Sequence, residues 1–186
     1  MNIALFASHN GSVLEPLLQA GFDVGLIITN NSNAPVIQKA QANGIPCEVV
    51  NERLYGGEVT KTILQKLGEH DIDLIVLAGY MKMLDGALIE RYEKRIINSH
   101  PSLLPKFGGV GMYGRYVHEA VIEAGESVSG VSVHYVEKEY DSGEIILQKS
   151  IEVDPSWDAS QLEAAVKKIE PEAVIEALQR ITRDRG

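Results

Sequence analysis

Along the first half of the chain, short apolar runs alternate with stretches of helical spacing. Residues 2–7, 23–29, 47–50 and 73–78 are rich in Val, Ile and Leu and end at polar residues or glycine. Runs without polar alternation suit strands covered on both faces of a parallel sheet. Residues 13–20, 34–43 and 58–69 lie between them and read as helices, with Asn43-Gly44 and then Pro46 marking one stop. Strand–helix alternation of this kind predicts an α/β sheet joined by right-handed crossovers.

The second half has a different texture. Residues 85–92 read as a short helix and 95–99 as a fifth buried strand. Residues 101–114 hold two prolines and four glycines and fit neither regular element. A helix follows at 115–124, closed by Gly125. Two strands at 131–136 and 144–153 then form a hairpin-like pair around residues 137–143. The last segment, 160–181, is an amphipathic helix that Pro171 is expected to interrupt. Without repeats, low-complexity tracts or linkers, the pattern predicts a single α/β domain. Its sheet is open, mostly parallel and doubly wound, with an antiparallel strand pair in the C-terminal half.

Composition narrows the function. The 186 residues carry 17 basic and 26 acidic side chains, a net charge of −9 shared by both halves. No basic patch or tail therefore offers itself to nucleic acid or an anionic membrane. The single cysteine, Cys47, excludes an internal disulfide and a cysteine-ligated zinc. The first residues lack the basic flank of a signal peptide, and no apolar run approaches the ~20 residues that span a bilayer. A cytoplasmic protein is the expectation.

Four motifs could carry chemistry. Gly109-Val110-Gly111-Met112-Tyr113-Gly114 spells G-x-G-x-x-G, but Pro105-Lys106-Phe107 before it is no strand. A flexible loop is expected there, not a dinucleotide site. Ser8-His9-Asn10-Gly11-Ser12 follows the first strand and opens the first helix. It suits either an anion held by backbone N–H groups or a helix cap by Ser8 or Asn10. Asn98-Ser99-His100-Pro101 ends the fifth strand, where Asn98 and His100 share a face ~7 Å apart. An amide and an imidazole at a strand's carboxyl end can stabilise an oxyanion and move a proton. A hydrogen-bonded structural histidine is the alternative. Asp141-Ser142-Gly143 reads locally as a turn, of interest only if its loop folds over His100. His134 in a strand, His118 on a helix and His70 before a loop show no metal-ligand spacing.

Asn98-Ser99-His100-Pro101-Ser102-Leu103-Leu104-Pro105 together with Asp141-Ser142-Gly143 resembles the folate-dependent formyltransferase superfamily. Supporting matches are Asn10-Gly11-Ser12, Leu77-Ala78-Gly79-Tyr80-Met81-Lys82-Met83-Leu84, Val117-His118-Glu119-Ala120, Gly130-Val131-Ser132-Val133-His134 and Ile145-Ile146-Leu147-Gln148. They run in order through nearly the whole chain, and the flanks favour members acting on glycinamide ribonucleotide. The resemblance implies a Rossmann-related formyltransferase fold and formyl transfer from 10-formyltetrahydrofolate, as co-substrate, to that amine. It implies no metal, no nucleic acid or membrane partner, small-molecule substrates only, and a monomer or homodimer.

Residue by residue, the resemblance implies Asn98, His100 and Asp141 as the catalytic set. Asn10, Gly11, Ser12 and Val13 would serve the acceptor's phosphate, with Pro101 and Glu170 nearer its glycinamide end. Met81, Lys82, Met83, Leu84 and Ile89, with Glu137, Lys138, Glu139 and Tyr140, would border the folate. Residues 1–100 would form the substrate-binding half and 101–186 the catalytic and folate-side half. Departures fall at the substrate end. His9 stands where the family usually has Gly, Val13 where it has Asn, and Lys82 where Arg is common. The chain after Glu170 is about four residues short, roughly one helical turn. Alternatives are another 10-formyltetrahydrofolate enzyme (a hydrolase or a sugar-amine N-formyltransferase) or a non-catalytic folate- or nucleotide-binding homologue.

Overall fold

The computed structural model describes residues 1–185. The first half contains strands β1 (Asn2–Phe6), β2 (Asp23–Thr29), β3 (Cys47–Val49) and β4 (Leu74–Ala78). Between them lie helices α1 (Leu14–Gln19), α2 (Val36–Ala42), α3 (Glu52–Tyr55) and α4 (Val59–Glu69), with a 3-10 turn at Gly56–Glu58. Then come α5 (Gly86–Arg91), β5 (Ile96–His100), α6 (Arg115–Glu123), β6 (Val128–Tyr135), β7 (Ile145–Glu152) and α7 (Ala159–Arg185). The strands form one sheet in the order β3-β2-β1-β4-β5-β6-β7. β1 runs parallel to β2 and β4, and β2 to β3, while β6 and β7 are antiparallel.

Contacts divide the chain into two compact units, Met1–Ile97 and Asn98 onward. In the first, Ile3, Leu5, Phe6, Ile27, Ile28, Leu74 and Ile75 are fully enclosed, as strands covered on both faces must be. Strand order reverses direction between β1 and β4, and loops at the carboxyl ends beside such a switch are where open α/β sheets bind ligands.

In the second unit, α7 packs on β6, β7 and α6 through Leu162, Val166, Ala173, Val174, Ala177 and Leu178. It runs unbroken for 27 residues with Pro171 inside it, contrary to the interruption expected from sequence. A proline removes one backbone donor and crowds the carbonyl four residues earlier. Burial of the apolar face on both sides of Pro171 outweighs that local cost. Helix α3 is a second departure: Asn51 accepts a hydrogen bond from the Leu54 N–H at 3.0 Å and caps a four-residue helix too short to show a period.

Candidate active site

β5 ends on alternating side chains, so Asn98 and His100 face one side of the sheet and Ser99 the other. Asn98 Nδ2 lies 3.2 Å from His134 Nε2 on β6. Asp141, in the β6–β7 connection, sets Oδ1 3.5 Å from His134 Nε2 and Oδ2 3.6 Å from His100 Nδ1. The structure thus brings Asn98, His100 and Asp141 together, linked through His134. His134 and His100 are 2% and 4% exposed.

Two backbone groups of the 101–114 loop complete the cluster. The Phe107 carbonyl accepts from His100 Nε2 at 2.7 Å, and the Gly109 N–H donates to Asp141 Oδ2 at 2.8 Å. Phe107 (φ +55°) and Asp141 (φ +53°) both hold the left-handed conformation, which costs a non-glycine residue energy and is found clustered at active sites. The loop is fastened to the sheet: Ser132 Oγ donates to the Ser102 carbonyl at 2.6 Å and accepts from the Leu104 N–H at 2.9 Å. Gly109, first glycine of the G-x-G-x-x-G string, therefore serves a carboxylate of its own chain. Gly143 closes the Asp141 loop by close approach, because a Cβ there would stand 1.9 Å from the Tyr135 carbonyl oxygen.

Electrostatics follow from this enclosure. Burial pushes the His100 pKa down, and the Asp141 carboxylate and Phe107 carbonyl only partly restore it, so the imidazole titrates below its ordinary value. Burial raises the Asp141 carboxyl, but the two imidazoles and the Gly109 N–H outweigh it and hold the group below the usual aspartate value. The cluster rests as a neutral imidazole beside a carboxylate at neutral pH. Because a carbonyl can only accept, His100 carries its proton on Nε2, and its basic nitrogen is Nδ1 on the Asp141 side.

Glu170 is placed differently. Its Oε1 accepts from Ser99 Oγ at 2.5 Å, on the side of β5 opposite to Asn98 and His100. Burial pushes its carboxyl above the ordinary glutamate value, only partly opposed by Ser99 and Lys167. Pro101 follows β5 and is partly buried, while Glu137, Lys138, Glu139 and Tyr140 are exposed in the loop leading to Asp141.

In the first unit, neither Ser8 nor Asn10 caps α1, whose N-cap Val13 has no side-chain cap bond. Ser8 instead ties three strand ends together. Its Oγ donates to Asn30 Oδ1 at 2.5 Å and accepts from the Met81 N–H at 2.7 Å. Asn10 is exposed and Ser12 partly so, whereas Val13 is fully buried and offers a ligand only its backbone. Gly11 turns at φ +56° so close to α2 that a Cβ would lie 2.4 Å from Val36. A cleft of about 360 Å³ opens at the carboxyl ends of β2, β3 and β4, lined by Asn30, Asn51, Arg53, Tyr80, Lys82 and Met83 among others. Leu84 also lines it. Ile89 lies buried in α5, and Met81 is 39% exposed.

From sequence, His134 looks like an ordinary strand position. Alternation along β6 signals only its face; which groups meet it depends on pairings 36 residues apart. Among the described residues, no group of three or more His, Cys, Asp or Glu side chains is arranged to hold a metal ion. Among the same residues, no helix is long and apolar enough to cross a membrane.

An open α/β sheet with an imidazole, a carboxylate and an amide gathered at a strand's carboxyl end has the equipment of an acid–base group-transfer enzyme. The formyl transferase family profile matches residues 1–178. The chain belongs to the formyl transferase family. It is 33% identical over 192 aligned positions to the chloroplastic phosphoribosylglycinamide formyltransferase of Arabidopsis thaliana, a match covering 98% of this chain and 66% of that protein. It is 35% identical to the phosphoribosylglycinamide formyltransferase of Bacillus subtilis, covering 90% of this chain and 87% of that one. A solved phosphoribosylglycinamide formyltransferase from Anaplasma phagocytophilum superposes with a TM-score of 0.90 at 32% identity, over 99% of this chain and 88% of that chain.

Proposed function

We propose that this chain transfers a formyl group from 10-formyltetrahydrofolate to the amino group of glycinamide ribonucleotide, a step of purine biosynthesis, as one cytoplasmic domain of residues 1–186. It would act as a monomer or homodimer on small molecules alone. One observation carries the reading beyond family membership: Asp141 stands 3.6 Å from His100 and 3.5 Å from His134, beside Asn98. Transfer to an amine needs a group that removes the amine's proton and one that donates to the formyl oxygen, and this cluster offers both.

The bound folate would supply a formyl carbon open to attack by the amine. His100, kept neutral by burial, would accept the amine's proton at Nδ1 as the bond to carbon forms. The imidazolium so created would face the Asp141 carboxylate, which stabilises it. Asn98 would donate its amide N–H to the formyl oxygen as negative charge gathers there, a role worth ~10²–10³ in rate at comparable sites. The proton held on His100 would then pass to the departing folate nitrogen. We assign the acceptor's phosphate to the 10–13 turn and its glycinamide end to Pro101; Glu170, bonded to Ser99 on the other side of β5, is left out of that end. The Met81–Leu84 stretch, with Ile89 and residues 137–140, would border the folate.

The test is direct. Protein, 10-formyltetrahydrofolate and glycinamide ribonucleotide are mixed and tetrahydrofolate release is followed with and without the amine. Release that depends on the amine is the expected result. Formate production without the amine makes water the acceptor, and folate binding without either product overturns catalysis altogether.

A further inference from the structure

We propose that His134 is a positioning residue that fixes the amide of Asn98 with its N–H end toward the reacting oxygen. This rests on the formyl-transfer reading for its catalytic consequence but not for its geometry. His134 Nδ1 lies 2.8 Å from the Tyr135 carbonyl oxygen, and a carbonyl has no proton to give. A proton therefore sits on Nδ1, and in the tautomer with that single ring proton Nε2 presents a lone pair.

That lone pair chooses the orientation of Asn98. Only the NH₂ end of the amide can approach it, and Nδ2 is the atom found 3.2 Å away. Asp141 Oδ1, at 3.5 Å from the same nitrogen, lies beyond ordinary hydrogen-bond length; as an acceptor it competes with Asn98 only when Nε2 is protonated, the state in which the ring lowers the Asp141 pKa. One of the two amide hydrogens is thereby engaged and the second is aimed away from His134, available to a formyl oxygen. Were the ring absent, the amide could turn and present its oxygen, which repels developing negative charge. His134 is 2% exposed, so no water replaces it as the acceptor without opening the core. Its action runs through Asn98 and needs no contact with substrate.

The experiment has two arms. Long-range ¹H–¹⁵N correlation spectra of the wild-type chain at neutral pH report the His134 tautomer with no substrate present. The expected result is a proton on Nδ1 and none on Nε2; a proton on Nε2 overturns the proposal whether or not the chain transfers formyl groups. The second arm compares His134→Leu and His134→Gln, each in the wild-type and Asn98→Ala backgrounds. Gln keeps an acceptor oxygen near the Nε2 position. His134→Leu should lower kcat about tenfold to a hundredfold, less than the ~10²–10³ of deleting a donor outright, with KM nearly unchanged. His134→Gln should recover most of that loss, and in the Asn98→Ala background His134→Leu should cost nothing more. An equal loss in both backgrounds, or a KM effect in place of a kcat effect, overturns the assignment.

Discussion

The Asp141 carboxylate stands 3.6 Å from Nδ1 of His100, on a backbone held at φ +53°. The other imidazole nitrogen donates to the Phe107 carbonyl, so this gap is the one place where the ring can take up a proton. The carboxylate thus acts on the protonated ring. It raises an imidazole pKa that burial has lowered.

Asp141→Asn separates these two influences. Without the carboxylate, only the Phe107 carbonyl opposes burial and the His100 pKa falls further. A weaker base should cut kcat by about 10²–10⁴, the usual worth of a positioned acid–base group. The acid limb of the pH–rate profile should also move to lower pH, because the ring stays neutral further down. Steady-state rates across pH check both; an unmoved acid limb would show that His100 is not the group titrating.

Asn98→Ala removes the amide from the same strand end. The expected loss is ~10²–10³ in kcat with KM little changed, since the hydrogen bond matters when charge develops on oxygen. Retained activity with altered KM would return Asn98 to a binding role. The far-ultraviolet spectrum should be unaltered, because Asn98 is only partly buried and sits at the strand's end.

The fold was largely legible because its strands are unbroken apolar runs: β2 occupies the very residues, 23–29, that the pattern indicates. The losses are instructive. β6 begins at Val128, three residues before the apolar signal, because Gly130 looks like a strand breaker. In the folded chain the β7 backbone passes so close to it that a Cβ would lie 1.9 Å from the Lys149 carbonyl oxygen. Spacing shows only that Asn98 and His100 share a face; their catalytic reading comes from the family resemblance. Ser8 misled, since a hydroxyl before a helix looks like a cap, whereas its partners Asn30 and Met81 are 22 and 73 residues away. Side-chain partners at such separations leave no trace in local pattern.

Glu170 couples stability to pH in the opposite sense to Asp141. Burial raises its carboxyl pKa in the folded chain, so the folded state holds a proton that the unfolded state has released. Its unfavourable effect is absent below the ordinary glutamate value and grows as pH rises through the raised one. Glu170→Gln keeps an acceptor for Ser99 without the charge. At pH 7.5 it should raise Tm by about 2–4 °C, the equivalent of roughly 1 kcal/mol at this size, and the gain should vanish near pH 4. KM for glycinamide ribonucleotide should stay nearly unchanged, because Glu170 faces away from Asn98 and His100. A Tm gain that persists at low pH would contradict the charge argument.

Pro171 offers a test of how α7 is held. Pro171→Ala restores an N–H at that position, able to donate to the Lys167 carbonyl, and removes the ring's crowding of that turn. In a helix interior the exchange is worth up to ~3 kcal/mol. Against it, losing a proline frees the unfolded chain by about 0.4–1 kcal/mol. The net expectation is a gain of about 1–2 kcal/mol, read as a higher urea midpoint at unchanged m-value. Helix packing through Val166, Ala173 and Val174 on both sides should keep Glu170 beside Ser99, so KM for the amine should not move. If instead the midpoint falls, the proline-shaped turn itself sets the direction of the neighbouring carboxylate, and the shortened segment after Glu170 has been compensated by curvature.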